Sequence, residues 1–433
     1  MGHPESEHRS MSFGSRMQRI CLGLTASLVL MACTERSNCE GSAGARDCAA
    51  ELIAPLEVAS QSQSDGAPSN PVAAYFDRSG SMAGFLDSAF LQDSTGYREV
   101  IDKVLAHFAP DRVYSFGNSV RVATASLGVL GEKPFYSEGN TRLEQAVDSV
   151  LADEDATRSH LIVGDGRRTS PSAANGQFTA LRQAALEWED RGGTFMVGAT
   201  LARFQPVQGD PSGCYSAATA PPDARCPLYV FAFVAPGDEM AIGRTIARVF
   251  EHVFAWPAPA VTTSVVTLRA SEAVPTGVTY EHRWMSAPAG SPVARLQSTV
   301  AAANQVKLQI ALEAEDDVRR FHRKMIASQA GDFRAFAAPL ASADQPRWNR
   351  SNVWTQRGVD TIQATVYGPG GGRFANRLEL SPMGRPRWLS QFAAEGAGDA
   401  VRTFGLPILF EAFVAGAAAQ AREPLVRAFV LTE

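Results

Sequence analysis

Apolar and polar positions change rhythm twice along this 433-residue chain. From Val72 to Trp256, short apolar runs alternate with stretches whose apolar residues recur every three or four positions. Val72-Ala73-Ala74-Tyr75-Phe76 predicts a short buried strand. "YREVIDKVLAHFA" places Val100, Ile101, Val104, Leu105 and Phe108 on one helical face. "RVYSFGNSV" then predicts a strand, "TRLEQAVDSVLAD" a helix, and "SHLIVGDG" a strand ending in Asp165-Gly166. "FTALRQAALEWEDRGG" predicts a helix with a glycine stop. "TFMVGATL" and "LYVFAFV" predict two further strands, and "DEMAIGRTIARVFEHVFA" a closing helix. Strands alternating with amphipathic helices place residues 71–255 in the α/β class, as a doubly wound, mostly parallel sheet with helices on both faces.

"WPAPA" at Trp256–Ala260 punctuates the chain and marks the expected domain boundary. Beyond it, "TTSVVTLRA", "TGVTYEHRWM", "QVKLQIALEA", "DTIQATVYG", "NRLELS" and "PLVRAFVLT" predict strands, several with period-two alternation. "DVRRFHRKMIASQ" and "PILFEAFVAGAAAQA" predict helices. Residues 256–433 are therefore expected to form a second, β-rich C-terminal domain.

The N-terminus carries a different signal. Arg16 and Arg19 precede an apolar run that ends in Leu30-Met31-Ala32-Cys33. A basic start, a short apolar stretch and a small residue before the cut describe a secretory signal over residues 1–32. Residues 33–70 are rich in Ser, Ala, Gly and Gln and read as a flexible tether. After loss of Cys21, export makes disulfides available to Cys39, Cys48, Cys214 and Cys226. They form two close pairs, so local pairing is the simplest connectivity. The Pro/Gly-rich segment between "TFMVGATL" and "LYVFAFV" holds the second pair. Zinc would need CxxC spacing or nearby His, and neither is present. The formal net charge of −5 argues against nucleic acid as a partner. Basic residues are nearly all Arg, which weakens any inference from a single one.

Candidate chemistry gathers in "FDRSGS". Asp77, Ser79 and Ser81 follow the first strand, with Gly80 allowing a tight turn. These residue types also build ordinary turns. Other positions add to them. In a doubly wound sheet the loops at the carboxyl ends of the strands converge. Asp165 leaves its strand at that end, and Thr141 stands at the start of a helix after Gly139. Two carboxylates and three hydroxyls make a hard-oxygen set suited to Mg²⁺ or Mn²⁺.

"DRSGS", then "GNT", then "GDG" resembles the metal-ion-dependent adhesion site of von Willebrand factor type A domains. The resemblance covers roughly Pro71 to Ala255. It implies that Asp77, Ser79, Ser81, Thr141 and Asp165 hold the cation, with hydroxyls in direct contact and aspartates often acting through water. It also implies that a partner protein's Asp or Glu fills an open coordination position. The helix after Gly237 resembles the mobile last helix of some members. "LMAC" resembles the lipobox of bacterial lipoproteins, which implies cleavage before Cys33, acylation of that residue and a lipid anchor in the envelope membrane. Thr34 leans the expectation toward the outer membrane.

Other motifs fall short of catalysis. No GxSxG elbow and no SxxK is present, and His107 and His160 stand alone in a helix and a strand. "YGPGGGRF" lacks the GK[ST] ending of a phosphate loop, and "EAEDDVRR" lacks the spaced aspartates of a Ca²⁺ loop. The sequence therefore points to a non-enzymatic, metal-dependent binding protein of the bacterial envelope. The alternative is a structural envelope protein whose C-terminal domain carries specificity while the metal only braces the first domain.

Overall fold

The structure is a computed structural model. It describes residues 67–86, 96–155, 157–167, 171–206, 214–215, 220–258, 261–268, 280–281, 293–302, 305–312, 317–339, 349–350, 355–357, 361–367, 374–394, 401–419 and 426–432. The expected signal segment, the acylation candidate Cys33, the pair Cys39 and Cys48, and nearly all of the tether lie outside the described residues.

Seven strands form the central sheet: β1 (Val72–Asp77), β2 (Arg112–Phe116), β3 (Arg121–Val122), β4 (Ser159–Gly164), β5 (Thr194–Arg203), β6 (Arg225–Val234) and β7 (His252–Trp256). Their order is β3-β2-β1-β4-β6-β5-β7. The sheet is mixed. β1 runs parallel to both β2 and β4, whereas β6 is antiparallel to β4 and β5, and β7 to β5. Four strands, β1, β2, β4 and β5, thus share one direction. The long hairpin of β5 and β6 explains the departure from a simple parallel order. Both strands are apolar along nearly their whole length, so β6 can occupy an interior position beside β4.

Side-chain parity builds two cores from the same strands. Val72, Ala74, Phe76, Leu161 and Val163 face one layer, while Ala73, Tyr75 and Ile162 face the other. The first layer holds α1 (Tyr97–Phe108), α4 (Glu239–Val249) and α5 (Asp317–Gln329). The second holds α2 (Leu143–Leu151), α3 (Pro171–Asp190), the short α6 (Leu389–Phe392) and α7 (Leu406–Ala419). Helices on both faces of a mixed sheet make this an α/β protein.

Two sequence expectations change here. The closing helix expected through Ala255 stops at Val249, and β7 follows. Val253 and Ala255 bury into one core, Phe254 and Trp256 into the other. A strand apolar on both faces has no alternation to announce it, and so it read as a continuation of the helix. The boundary at Trp256 also fails to separate cores. Phe321, Met325 and Ile326 of α5 lie in the first core, and Leu389, Phe392, Leu409, Phe410 and Phe413 of α6 and α7 in the second.

Around these helices in the chain lie the strands of two five-stranded sheets. One has the order β14-β15-β11-β10-β9, from Thr355–Arg357, Thr361–Tyr367, Gln305–Leu312, Val293–Ala302 and Tyr280–Glu281. The other has the order β13-β12-β16-β17-β8, from Asn349–Arg350, Ala330–Pro339, Phe374–Pro382, Val426–Thr432 and Val261–Leu268. β17 and β8 pair in parallel, and the remaining pairs are antiparallel.

α5 joins β12 without a linker, and its last residue works at the sheet edge. Gln329 is fully buried; its Oε1 accepts from Ala255 N at 2.9 Å and its Nε2 donates to Ala255 O at 3.0 Å. One side chain thus supplies what a neighbouring strand would, and satisfies the outer edge of β7. Gln329→Ala is expected to cost about 2–4 kcal/mol in urea unfolding, because it removes two hydrogen bonds and leaves Ala255's peptide groups buried without partners.

His160 on β4 is buried, with Nδ1 3.5 Å from the Tyr75 hydroxyl and its ring edge-on to Trp188. Burial lowers it from 6.5 to about 4. Between those values the unfolded chain takes up a proton that the fold refuses, so this group's contribution to stability is lost as pH falls from about 6.5 to about 4. His160→Phe is expected to flatten that part of the pH–stability curve, as read by urea unfolding at stepped pH.

Candidate metal centre

The central parallel strands bring the oxygen-bearing residues together. Asp77 ends β1, and Asp165 follows β4 immediately, so the two carboxylates leave adjacent parallel strands on the same side of the sheet. Ser79 and Ser81 follow Asp77, Ser81 as the second residue of a 3-10 helix over Gly80–Leu86. Thr141 arrives from the loop before α2. That loop lies beside the β1 loop, where Gly80 N donates to Glu138 O at 2.9 Å and Glu138 N to Arg78 O at 3.3 Å.

All five side chains expected from the sequence meet. Asp77 is 0% exposed, Asp165 1%, Ser79 3%, Ser81 4% and Thr141 6%. Asp77 Oδ1 accepts from Ser79 N at 2.8 Å, and its Oδ2 accepts from Thr141 Oγ1 at 3.2 Å. The Ser79 and Ser81 hydroxyl oxygens stand 3.0 Å apart. The Ser81 side chain hydrogen-bonds Asp165, whose Oδ1 also accepts from Arg167 N at 3.0 Å. The five groups form a continuous polar chain from Thr141 through Asp77, Ser79 and Ser81 to Asp165.

Two glycines make this approach feasible. A Cβ on Gly164 would stand 2.9 Å from Asp77 Cβ and 3.1 Å from its Oδ2, so a side chain there would push the carboxylate away. Gly166 has φ of +64°, which favours glycine and turns the chain just after Asp165. Gln177 Nε2 donates to its carbonyl at 2.7 Å and holds the turn.

The electrostatics set this cluster apart from an ordinary turn. Burial, followed by the neighbouring Asp165 carboxylate, pushes Asp77 from 3.8 up to about 8. Burial also raises Asp165, against the opposing pull of Arg167. Two acids in one dry volume resist joint ionisation. A dication would relieve both the desolvation and the repulsion, and hydroxyl and carboxylate oxygens are the donors that Mg²⁺ and Mn²⁺ accept. The residues therefore fit the ion that the sequence suggested. Among the described residues, no three His, Cys, Asp or Glu side chains gather to hold a metal. The present cluster takes three of its five donors from hydroxyls.

The sequence reading missed Glu138. Its backbone pairs with the β1 loop, its Oε2 accepts from Asn118 N, and its Oε1 lies 3.7 Å from Arg78 and 3.9 Å from Arg121. One residue thus ties together the loops after β1 and β2 and the loop that carries Thr141. The only hint was its place in "EGNT", three positions before Thr141. Arg78 is tied to the same loop, with Nε donating to Phe135 O at 2.8 Å and the guanidinium 5.2 Å from the Phe135 ring centre.

Elsewhere, Cys214 and Cys226 are joined in a disulfide with Cα atoms 6.1 Å apart. No described helix is long and apolar enough to cross a membrane. No family model, no curated protein and no solved structure matches the chain.

The paired acids give a pH dependence with a definite sign. Above the ordinary carboxylate range the folded state still holds a proton on the Asp77–Asp165 pair that the unfolded chain releases, so without metal the pair makes stability fall as pH rises from that range. In EDTA, Asp77→Asn is expected to be more stable than wild type at pH 8.5, by on the order of 2 kcal/mol, with the gain shrinking towards pH 4. Urea unfolding at stepped pH measures it, and saturating Mg²⁺ is expected to erase the wild-type loss.

Proposed function

We propose that this chain is a divalent-metal-dependent protein-binding module of the von Willebrand factor type A kind, carried on a lipid anchor in a bacterial envelope. One observation carries the reading: two buried carboxylates and three hydroxyls converge in a single chain of contacts at the ends of adjacent parallel strands. In this reading Asp77, Ser79, Ser81, Thr141 and Asp165 hold one Mg²⁺ or Mn²⁺. The ion keeps residual positive charge, because three donors are neutral, and attracts an Asp or Glu carboxylate from a partner protein. The Ser79 and Ser81 hydroxyls engage each other and the carboxylates, an arrangement that suits ligands better than a nucleophile with its base.

The remaining parts fit around that work. Signal segment 1–32, acylated Cys33 and the tether to residue 70 would hold the body at the membrane, with the outer membrane favoured by Thr34. The two five-stranded sheets would make up the β-rich C-terminal part. Helices α5, α6 and α7, from the same stretch of chain, pack in the two cores of the α/β layers.

The test is a thermal-shift titration with Mg²⁺ and then with a soluble glutamate-rich peptide. A ligand present at 100 times its Kd stabilises by about 2.7 kcal/mol, which is a readable shift. Wild type is expected to gain with Mg²⁺ and gain again with peptide only when Mg²⁺ is present, and Asp77→Ala is expected to show neither. Stabilisation by Mg²⁺ with no peptide increment, together with the same envelope proteins captured in Mg²⁺ and in EDTA, would leave the metal as a brace and move recognition to the β-rich part.

A further inference from the structure

The start of the segment between β5 and β6 meets the 3-10 helix near Gly84, at the other end from Gly80, which Glu138 holds. β5 runs in the same direction as β1, so this segment starts at the end of the sheet where Asp77 and Asp165 lie. Its first residue, Phe204, is 3% exposed and packs edge-on against Phe85 of the 3-10 helix, with ring centres 5.0 Å apart at 75°. Gln205 N donates to Gly84 O at 2.9 Å. Gly84 is the residue that lets the ring in, since a Cβ there would stand 2.3 Å from the Phe204 ring. Phe85 passes the contact on to Tyr97, at 6.2 Å, and Tyr97 to Tyr136, at 5.8 Å.

Phe204 is itself held in place. Its N donates to Ala224 O at 2.9 Å, and Ala224 stands two residues before Cys226. Cys226 closes the disulfide with Cys214, and both sulfurs belong to the apolar core that contains Met82, Phe85, Leu86 and Phe204. The 3-10 helix is therefore gripped at both ends, by Glu138 at Gly80 and by Phe204 and Gln205 at Gly84 and Phe85. Ser81 lies between those grips. Its hydroxyl must meet both Ser79 and Asp165.

We propose that Phe204, set by the Cys214–Cys226 staple, is a positioning residue for the cation centre, holding the 3-10 helix so that the Ser81 hydroxyl stays in the donor set. This rests on the metal reading above, but its local consequence does not need the metal. Loss of groups that orient a metal's ligands typically weakens affinity 10- to 100-fold.

The experiment combines hydrogen exchange of residues 79–86 in EDTA with Mg²⁺ titration by calorimetry, on the full exported chain. Phe204→Ala is expected to speed exchange in 79–86 and weaken Mg²⁺ binding on the order of tenfold, and Phe204→Leu to restore most of both. The paired change Cys214→Ala with Cys226→Ala is a second route and is expected to act in the same direction. Phe250→Ala removes a buried ring from the same core beside α4, and is expected to lower unfolding stability while leaving Mg²⁺ affinity and exchange in 79–86 as in wild type. Wild-type exchange in 79–86 for Phe204→Ala overturns the proposal, as does faster exchange with unchanged Mg²⁺ affinity. If wild type takes up no Mg²⁺ while Phe204→Ala still speeds exchange there, the brace stands and the metal reading falls.

Discussion

Two carboxylates share one dry volume at the ends of β1 and β4, and neither has enough water to ionise at ordinary cost. That arrangement is expensive unless something positive completes it or a proton stays behind. The surroundings are organised to keep the two acids close. Gly164 removes the side chain that would separate them, Gly166 turns the chain immediately after Asp165, and three hydroxyls line the gap. A protein selecting only for stability would more simply place apolar groups there.

The rest of the architecture makes this arrangement rigid. β1 is buried along its whole length between β2 and β4, so Asp77 ends an interior strand paired on both edges. The loops are knitted by Glu138 on one side and by the disulfide-stapled segment on the other. The helix layers add support from far along the chain. Thr403, which precedes α7, bonds Tyr229 at 2.8 Å, and Tyr229 lines the turn at Gly166. α4, the helix that resembles a mobile element by sequence, carries extra restraints. Phe321 of α5 fills the space over Gly243, and Lys324 Nζ donates to Ala247 O at 2.8 Å and Phe250 O at 2.6 Å. Any displacement of α4 has to break or carry those contacts with it.

Much of this was legible in the chain. Periodicity located β1, β4, β5, β6, α1 and α2 closely, because each is amphipathic or uniformly apolar over a typical length. The meeting of Asp77, Ser79, Ser81, Thr141 and Asp165 was legible because each lies in a segment that leaves a strand end or enters a helix, where topology brings such segments to one edge. β7 was hidden because both its faces are buried. The antiparallel place of β6 was hidden because a continuous apolar run does not encode direction. That α5, α6 and α7 contribute to these two cores was hidden, because amphipathicity says that a face is buried, not against what. Glu138 and Phe204 were invisible for a related reason: their roles are contacts between separate segments of the chain, at separations of 17 residues and more, and no local pattern records those.

The most direct test is an anomalous-scattering map from crystals of the full chain grown with Mn²⁺. One strong peak is expected among Asp77, Ser79, Ser81, Thr141 and Asp165, absent from crystals of Asp77→Ala. A map with no peak there at saturating Mn²⁺, or with its peak elsewhere on the molecule, would contradict it.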